Sequence, residues 1–204
     1  MPKQHDHSFN KSRMEALTEG IFATVMTILV LSLVVPVVTG SDLSQQLDTV
    51  IFSLLPGILI YVFSFTVLLV MWIGHNNIFR YIHGINPRTL WLNGFFLLLV
   101  ALVPFSTAFL GRYPLQQPAI FVYGINFLLI TIMFRLFNQY VKGYHGKTDS
   151  VMDRTSRYNL IGFVTYIGAM AFSFVSPYIS IAFFAAVPVF YIYQAFFGMY
   201  KDIR

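Results

Sequence analysis

Long apolar runs separated by short polar segments make up most of the chain. Residues 40–48, Pro114 and the Ser176-Pro177 pair mark boundaries between runs, because Gly and Pro interrupt helices. The runs cover residues 17–38, 50–74, 89–110, 118–140, 158–176 and 178–199. A helix needs about 20 apolar residues to cross the hydrocarbon core of a bilayer. The pattern therefore predicts an all-α integral membrane protein, a six-helix bundle forming a single domain over residues 1–204.

The composition supports the membrane assignment. Hydrophobic residues make up 57% of the chain and charged residues 10%, against about 25% charged residues in ordinary soluble domains. So few charges cannot cover a water-facing surface, which excludes a soluble globular protein. The absence of cysteine excludes a disulfide scaffold and thiolate chemistry. Residues 1–10 are polar and no small-residue cleavage site ends the first apolar run, so we expect a retained helix rather than a signal peptide.

The basic residues fall almost entirely on one side of the predicted bundle. Short cytoplasmic loops of membrane proteins are enriched in Lys and Arg. With six spans, one side carries Lys3, Lys11, Arg13, Arg80, Arg88, Lys142, Lys147, Arg154, Arg157, Lys201 and Arg204. The other side carries Arg112 with Asp42 and Asp48. We therefore expect a multi-pass protein of the cell membrane with both termini in the cytoplasm, and the net charge of +5 does not indicate a nucleic-acid partner.

Polar side chains near the start of the first span are informative because polar groups in a bilayer are costly. Glu19 lies one to two turns inside this helix and Arg13 precedes it by six residues. The dipole at a helix N-terminus favours a carboxylate there. An ordinary helix cap with an Arg whose head reaches back to water explains the same two residues.

Three residues farther along the first span share one helix face. Thr24, Thr27 and Leu31 are separated by three and four positions, which places them on one side of an α-helix. This face could line a narrow path. Alternatively, each Thr bonds the carbonyl one turn earlier, as Thr commonly does in membrane helices.

The second span ends in a polar and aromatic cluster. Trp72, His75 and Phe79 share a face by their spacing, and His75 opens a run of three imidazole or amide side chains. This run suggests a buried hydrogen-bonded knot, although a Trp near a His is also a common interfacial anchor. Asn93 and Asn126 lie within later spans, where we expect interhelical hydrogen bonds.

Catalytic and metal-binding patterns do not occur in the sequence. There is no GxSxG, HExxH or P-loop, and the five His, at positions 5, 7, 75, 83 and 145, have no paired carboxylates. We predict that the protein is not an enzyme and has neither a metal site nor a cofactor. A carrier usually has two related halves with interrupted helices, and no such repeat is visible.

Several motifs occur in order along the first four spans. They are Arg13-x-x-x-Leu17-Thr18-Glu19-Gly20-Ile21-Phe22-Ala23, Trp72-x-x-His75-x-x-x-Phe79, Leu90-Trp91-Leu92-Asn93 and Leu102-Val103-Pro104-Phe105. Together they resemble the transmembrane protein 175 family, the endolysosomal potassium channels and their short prokaryotic relatives. The family pattern is Arg, three residues and Phe-Ser-Asp before an apolar helix. Here Leu17-Thr18-Glu19 replaces Phe-Ser-Asp, which keeps a hydroxyl and a carboxylate but loses the aromatic ring.

The resemblance implies a homotetramer in the lipid bilayer, with four copies of the first helix around a central pore for potassium and other monovalent cations. In relatives, side chains five, eight and twelve residues after the signature acid form the constriction. Counted from Glu19, these are Thr24, Thr27 and Leu31. The resemblance also implies a network that braces the pore helix, made of Arg13, Thr18, Glu19, Trp72 and His75. Potassium is then the permeant ion and not a cofactor.

A constriction of side chains would replace the carbonyl filter of other potassium channels, and no TVGYG-type loop occurs. Hydroxyls at Thr24 and Thr27 can replace part of an ion's hydration shell, and a ring of Leu31 side chains can close by dewetting. Thr24 is smaller and more polar than the family's bulky aliphatic residue, so we expect a less hydrophobic layer there. Asp42 and Asp48 would form an acidic outer vestibule that favours cations.

Two alternatives to a channel remain at this point. A secondary or proton-coupled transporter would use Glu19 or His75 to bind and release a proton. A non-conducting membrane scaffold would use the face of Thr24, Thr27 and Leu31 for packing alone.

Overall fold

Every regular element in the described part of the chain is helical. The computed structural model describes residues 10–35, 43–145 and 150–194. In chain order the helices are α1 (Lys11–Ile28), α2 (Leu43–Phe79), α3 (Pro87–Ala101), α4 (Val103–Arg112), α5 (Gln117–His145), α6 (Ser150–Phe172) and α7 (Pro177–Tyr193). A 3-10 segment, Leu29–Ser32, continues α1.

Helices long and apolar enough to cross a membrane occur in the first three quarters of the described residues. There are four such stretches, Lys11–Ser32, Leu47–Phe79, Pro87–Arg112 and Gln117–Tyr144. Two shorter apolar stretches follow, Asn159–Phe172 and Pro177–Tyr193. The predicted all-helical membrane architecture is confirmed, whereas six spans in a tetramer stay a prediction.

The first two helices differ in their bounds from the apolar runs that predicted them. α1 starts before residue 17 but, with its 3-10 continuation, ends at Ser32 rather than at residue 38, whereas α2 extends beyond its run at both ends. α1 starts at Lys11 because Asn10 caps it, its Oδ1 accepting a hydrogen bond from the Ser12 backbone N–H at 3.0 Å. α2 continues to Phe79, well past residue 74, since the polar side chains beginning at His75 do not break a helix. Polarity therefore marks where a run ends without marking where the helix ends.

The third predicted span is divided in two near Pro104. Proline lacks the N–H that would bond Val100, so the helical ladder is interrupted there. The chain makes a tighter turn instead, with the Leu102 backbone N–H bonded to the Leu99 carbonyl at 3.2 Å. α4 then begins at Val103.

α5 is the central helix of the described bundle. It packs against α3, α4 and α6, while α1 lies at the side against α2 and α3. In its most apolar stretch α5 is 50% buried, but α1 and α2 are only 28% buried. A large part of α1 and α2 is therefore exposed in the single chain.

Candidate pore helix and its anchoring

α1 has one buried face and one exposed face. The buried face consists of Met14, Thr18, Phe22, Val25 and Leu29. These residues repeat every three to four positions, which is the period of a helix packed along one side. The opposite side exposes Leu17, Gly20, Thr24, Thr27 and Leu31. The predicted constriction residues therefore lie on the surface of the single chain and outside its core.

A chain of hydrogen bonds ties the buried face of α1 to α2 and α3. Thr18 Oγ1 donates to the Met14 carbonyl at 2.9 Å, so its oxygen accepts the hydrogen bond from Asn93 Nδ2 at 3.1 Å. The amide orientation leaves Asn93 Oδ1 facing His75 Nε2 at 2.9 Å. Since an amide oxygen only accepts, His75 Nε2–H is the donor. Three helices are thus joined through Thr18, Asn93 and His75.

Aromatic rings enclose His75. Its imidazole is stacked between Phe96 and Phe137, with ring centroids 5.1 and 5.3 Å away and planes within 10° of parallel. Phe79 lies 4.6 Å away along the same helix. Phe22 of α1 completes the cluster, 6.3 Å from His75 and 6.0 Å from Phe96. His75 is fully buried, so it acts as a packed and hydrogen-bonded core residue.

The predicted bracing residues take different positions. Thr18 and His75 are joined through Asn93, and Trp72 is half-buried against the same core. Arg13 and Glu19 are exposed, and among the described residues neither side chain bonds to that chain. Near the start of α1, Lys11 Nζ lies 3.6 Å from Glu15 Oε1 and forms an ion pair with it.

The sequence predicted an interhelical hydrogen bond for Asn93 but not its partners. An amide inside an apolar run indicated an interhelical bond, and such bonds are present. Its partners could not be derived, because Thr18 lies 75 and His75 lies 18 positions away along the chain.

The hydroxyl groups of Thr27 and Thr24 on the exposed face differ in their hydrogen bonding. Thr27 Oγ1 donates within the helix, 2.8 Å from the Thr24 carbonyl and 3.1 Å from that of Ala23. Its proton is used there, so the oxygen lone pairs remain available on the exposed side. The Thr24 hydroxyl makes no hydrogen bond to any described residue. Leu31 is 72% exposed and lies in the 3-10 segment, which turns more per residue than an α-helix.

An apolar groove of about 670 Å³ runs beside this face. One wall is α1 with Leu17, Gly20 and Thr24, and the other is the junction of α3 and α4 with Pro104 and Phe105. We call it the Thr24 groove.

A second buried polar cluster lies deeper in the bundle. Thr107 Oγ1 donates to Ser64 Oγ at 2.8 Å, and Tyr123 Oη lies 3.0 Å from the same atom. Nearby, Asn126 Nδ2 donates to Ser106 Oγ at 2.9 Å, which is the interhelical bond expected for this asparagine. These bonds join α2, α4 and α5.

The acidic residues predicted for the vestibule are only partly within the described chain. Asp48 is exposed near the start of α2. Asp42 lies outside the described residues. No group of three or more His, Asp or Glu capable of holding a metal ion occurs within residues 10–35, 43–145 and 150–194.

Known proteins share this sequence and architecture. The family model for the endosomal/lysosomal potassium channel TMEM175 matches residues 13–104. A potassium channel of Chamaesiphon minutus is 34% identical over 186 residues, covering 83% of this chain and 87% of that protein. The chain belongs to the TMEM175 family. TMEM175 proteins are ion channels rather than enzymes, and they use no cofactor.

A second relative and a solved structure extend the similarity across most of this chain. A potassium channel of Chryseobacterium sp. is 29% identical over 179 residues, which is 87% of this chain and 90% of that one. The crystal structure of a lysosomal potassium-selective channel TMEM175 homolog from Chamaesiphon minutus matches with a TM-score of 0.76 at 29% identity. The match covers 90% of this chain and 97% of the chain in that crystal structure.

We predict that the bond between Thr18 and Asn93 contributes to the stability of the TMEM175 fold. Thr18→Val should lower the free energy of unfolding by about 0.6–1.7 kcal/mol more than Thr66→Val. Both hydroxyls donate to the carbonyl one turn earlier, at 2.9 and 2.8 Å, but Thr18 also accepts a bond from another helix. Unfolding of the purified variants in detergent measures the difference. Equal losses would show that the interhelical bond contributes nothing.

Proposed function

We propose that this potassium channel of the TMEM175 family conducts along the exposed face of α1, with four copies of that face around a central axis. One observation carries the proposal. Thr24, Thr27 and Leu31 are exposed in the single chain, opposite the face that α1 buries in its own core. A helix that is packed on one side and carries hydroxyls on the other is suited to lining a water-filled path.

An exposed charge on the flank of this face supports water rather than lipid as its environment. Glu19 is exposed near the middle of α1, eight residues after Lys11. An ionised carboxylate facing hydrocarbon would be costly, whereas one at the mouth of an aqueous path is stabilised. At about 100° per residue, the five positions from Glu19 to Thr24 place Glu19 about 140° around α1 from Thr24, so Glu19 flanks the hydroxyl-bearing face.

The constriction would select ions through side-chain oxygens. Thr27 uses its proton within the helix and directs lone pairs outward, so four copies would offer a ring of acceptors to a cation. Partial replacement of the hydration shell costs less for potassium than for the more strongly hydrated sodium. Selectivity without a carbonyl cage should be modest. Four copies of Thr24 would add a second ring, which is less hydrophobic than the bulky aliphatic ring of the family.

Leu31 would form the hydrophobic part of the pathway. Its isobutyl group is largely exposed and follows the hydroxyl positions by one turn. Four such groups around an axis make a narrow apolar ring, which excludes water when it closes. Asp48, and Asp42 beyond the described residues, would attract cations toward this end.

The topology of the proposal has six spans, with α6 and α7 as the fifth and sixth, and both termini in the cytoplasm. The distribution of Lys and Arg described above supports this orientation. An even number of spans is required to return the chain to the side on which it began.

The contacts of His75 favour a channel over a proton-coupled carrier. A carrier needs a titrating group that reaches water during its cycle. His75 is enclosed by Phe96 and Phe137 and hydrogen-bonded to Asn93. This geometry suits anchoring of the pore helix and does not provide a proton path.

We predict that Leu31→Ala raises the single-channel potassium current on the order of twofold or more, since a smaller ring remains hydrated more easily. Purified protein in planar bilayers provides the measurement. Leu136→Ala is the matched control, because Leu136 is an exposed leucine on α5, and the current should be unchanged. A scaffold would give no cation current in any variant. Equal effects of both substitutions would contradict the assignment of Leu31.

The Thr27 oxygen should determine selectivity. Thr27→Val keeps the shape of the side chain but removes the oxygen, so the potassium-to-sodium permeability ratio should fall toward one. Thr27→Ser keeps the oxygen and should retain most of the ratio. Reversal potentials under opposing potassium and sodium solutions measure both. A Val variant as selective as the unmodified protein would exclude Thr27 from the selective layer.

The proposed assembly predicts a mass of four chains. The mass of one chain is 23.3 kDa, and native mass spectrometry of the detergent-solubilised protein should detect four copies. A monomer retaining potassium current in bilayers would overturn the shared pathway, because one copy of α1 cannot enclose a pore.

A further inference from the structure

A cavity with both polar and apolar walls lies at the opposite end of α1 from the Thr18 anchor. It has a volume of about 580 Å³, within the range of about 300–1,000 Å³ typical of small-molecule sites. Its walls come from the end of α1, from α2 and from the end of α4, with Ser32, Ser53, Arg112 and Tyr113 among the lining residues. We call it the Arg112 cavity.

Two glycines shape the Arg112 cavity. A Cβ atom on Gly57 of α2 would lie 3.7 Å from Leu33 Cδ2 and 3.9 Å from the Gly111 carbonyl oxygen. A Cβ atom on Gly111 of α4 would lie 3.6 Å from the Gly57 Cα. The backbones of α2 and α4 therefore approach closely at these two glycines, both of which line the cavity.

Three hydrogen-bond donors in the cavity are unused. In the described part of the chain, the Arg112 guanidinium has no hydrogen bond or ion pair, and the Ser32 and Tyr113 hydroxyls bond to no other group. Ser53 differs, because its Oγ donates to the Val50 carbonyl at 2.7 Å. Asp48 lies five residues before Ser53 but forms no ion pair with Arg112.

We propose that the Arg112 cavity binds a phosphate group, with Arg112 as the bidentate donor and Ser32 and Tyr113 as additional donors. A guanidinium has two parallel N–H groups that match two phosphate oxygens. A positive charge with two free hydroxyls in a cavity partly lined by Leu33, Val34 and Leu54 suits a ligand that is anionic at one end and apolar at the other.

The depth of Arg112 supports a lipid headgroup as one source of the phosphate. The apolar stretch Pro87–Arg112 is 26 residues long and ends at this residue. A span of that length crosses the hydrocarbon core, about 30 Å thick, so its end lies near the level of lipid phosphates. Inorganic phosphate from solution is the other source of the same chemistry.

Occupation of the cavity would act on the end of the pore helix. Ser32 and Leu33 line the cavity and directly follow Leu31. A bound phosphate held by Ser32 and Arg112 would link the 3-10 segment of α1 to α4. The binding site itself does not depend on how the channel conducts.

The test measures the thermal midpoint of the purified, full-length protein in detergent against increasing probe concentration. The probes are dihexanoyl phosphatidic acid, dihexanoylglycerol of the same chain length without phosphate, and inorganic phosphate. We expect a saturable rise with phosphatidic acid and none with dihexanoylglycerol. A rise with phosphatidic acid alone assigns the site to a lipid, and an equal rise with inorganic phosphate assigns it to a free anion.

Variants identify the residues that bind. Arg112→Gln should weaken the apparent Kd for phosphatidic acid about tenfold or more, and Ser32→Ala about threefold. Arg112→Lys should bind with intermediate strength. Ser53→Ala should bind normally, because the Ser53 proton is used in its own helix. Arg88→Gln removes the same charge from an exposed site on α3 and should also bind normally.

Three results would overturn the proposal. The first is the absence of a saturable rise in the unmodified protein. The second is an equal rise with dihexanoylglycerol, which would indicate binding of acyl chains alone. The third is an equal loss of affinity for phosphatidic acid in Arg112→Gln and Arg88→Gln, which would indicate a general effect of net charge.

Discussion

The attachment of α1 to its own subunit is the constraint on which the proposed pathway depends. The bond from Asn93 to Thr18 and the packing of Phe22 against His75 and Phe96 determine which side of α1 faces inward. An interhelical hydrogen bond contributes about 0.6 kcal/mol in a bilayer and an aromatic pair about 0.5–1.5 kcal/mol. At about 100° per residue, nine residues beyond Thr18 rotate Thr27 by half a turn from the buried side. Anchoring one hydroxyl therefore orients another.

The sequence predicted the elements better than it predicted their contacts. Apolar runs were sufficient to locate the helices approximately, because this signal is local. Proline positions were less informative, since the chain is divided near Pro104 whereas Pro56 and Pro188 lie inside continuous helices. The aromatic enclosure of His75 could not be predicted, since Phe96 and Phe137 belong to other helices and spacing within α2 carries no information about them. Polarity alone also does not indicate which side of a helix faces the core. Thr18 is buried and Glu19, the next residue, is exposed.

α1 is supported at two separate places. Near its start it is fixed by the hydrogen bonds of Thr18, and near its end the 3-10 segment lies against α2 and α4 beside the Arg112 cavity. Between them the Thr24 groove runs along one flank of the helix, while Phe22 and Val25 stay buried on the other side. A helix packed along one side can present its opposite face to the other copies of the proposed tetramer without losing its orientation.

The departure from the family's Phe-Ser-Asp pattern affects these supports unequally. Thr18, at the position of the Ser, is the buried member, and it keeps both the bond to Met14 and the acceptor for Asn93. Leu17 and Glu19, at the positions of Phe and Asp, are both exposed. Leu17 lines the Thr24 groove, so the loss of the aromatic ring changes the exposed surface of α1. The difference therefore leaves the anchoring of the helix intact and, in the proposed tetramer, would alter contacts between copies.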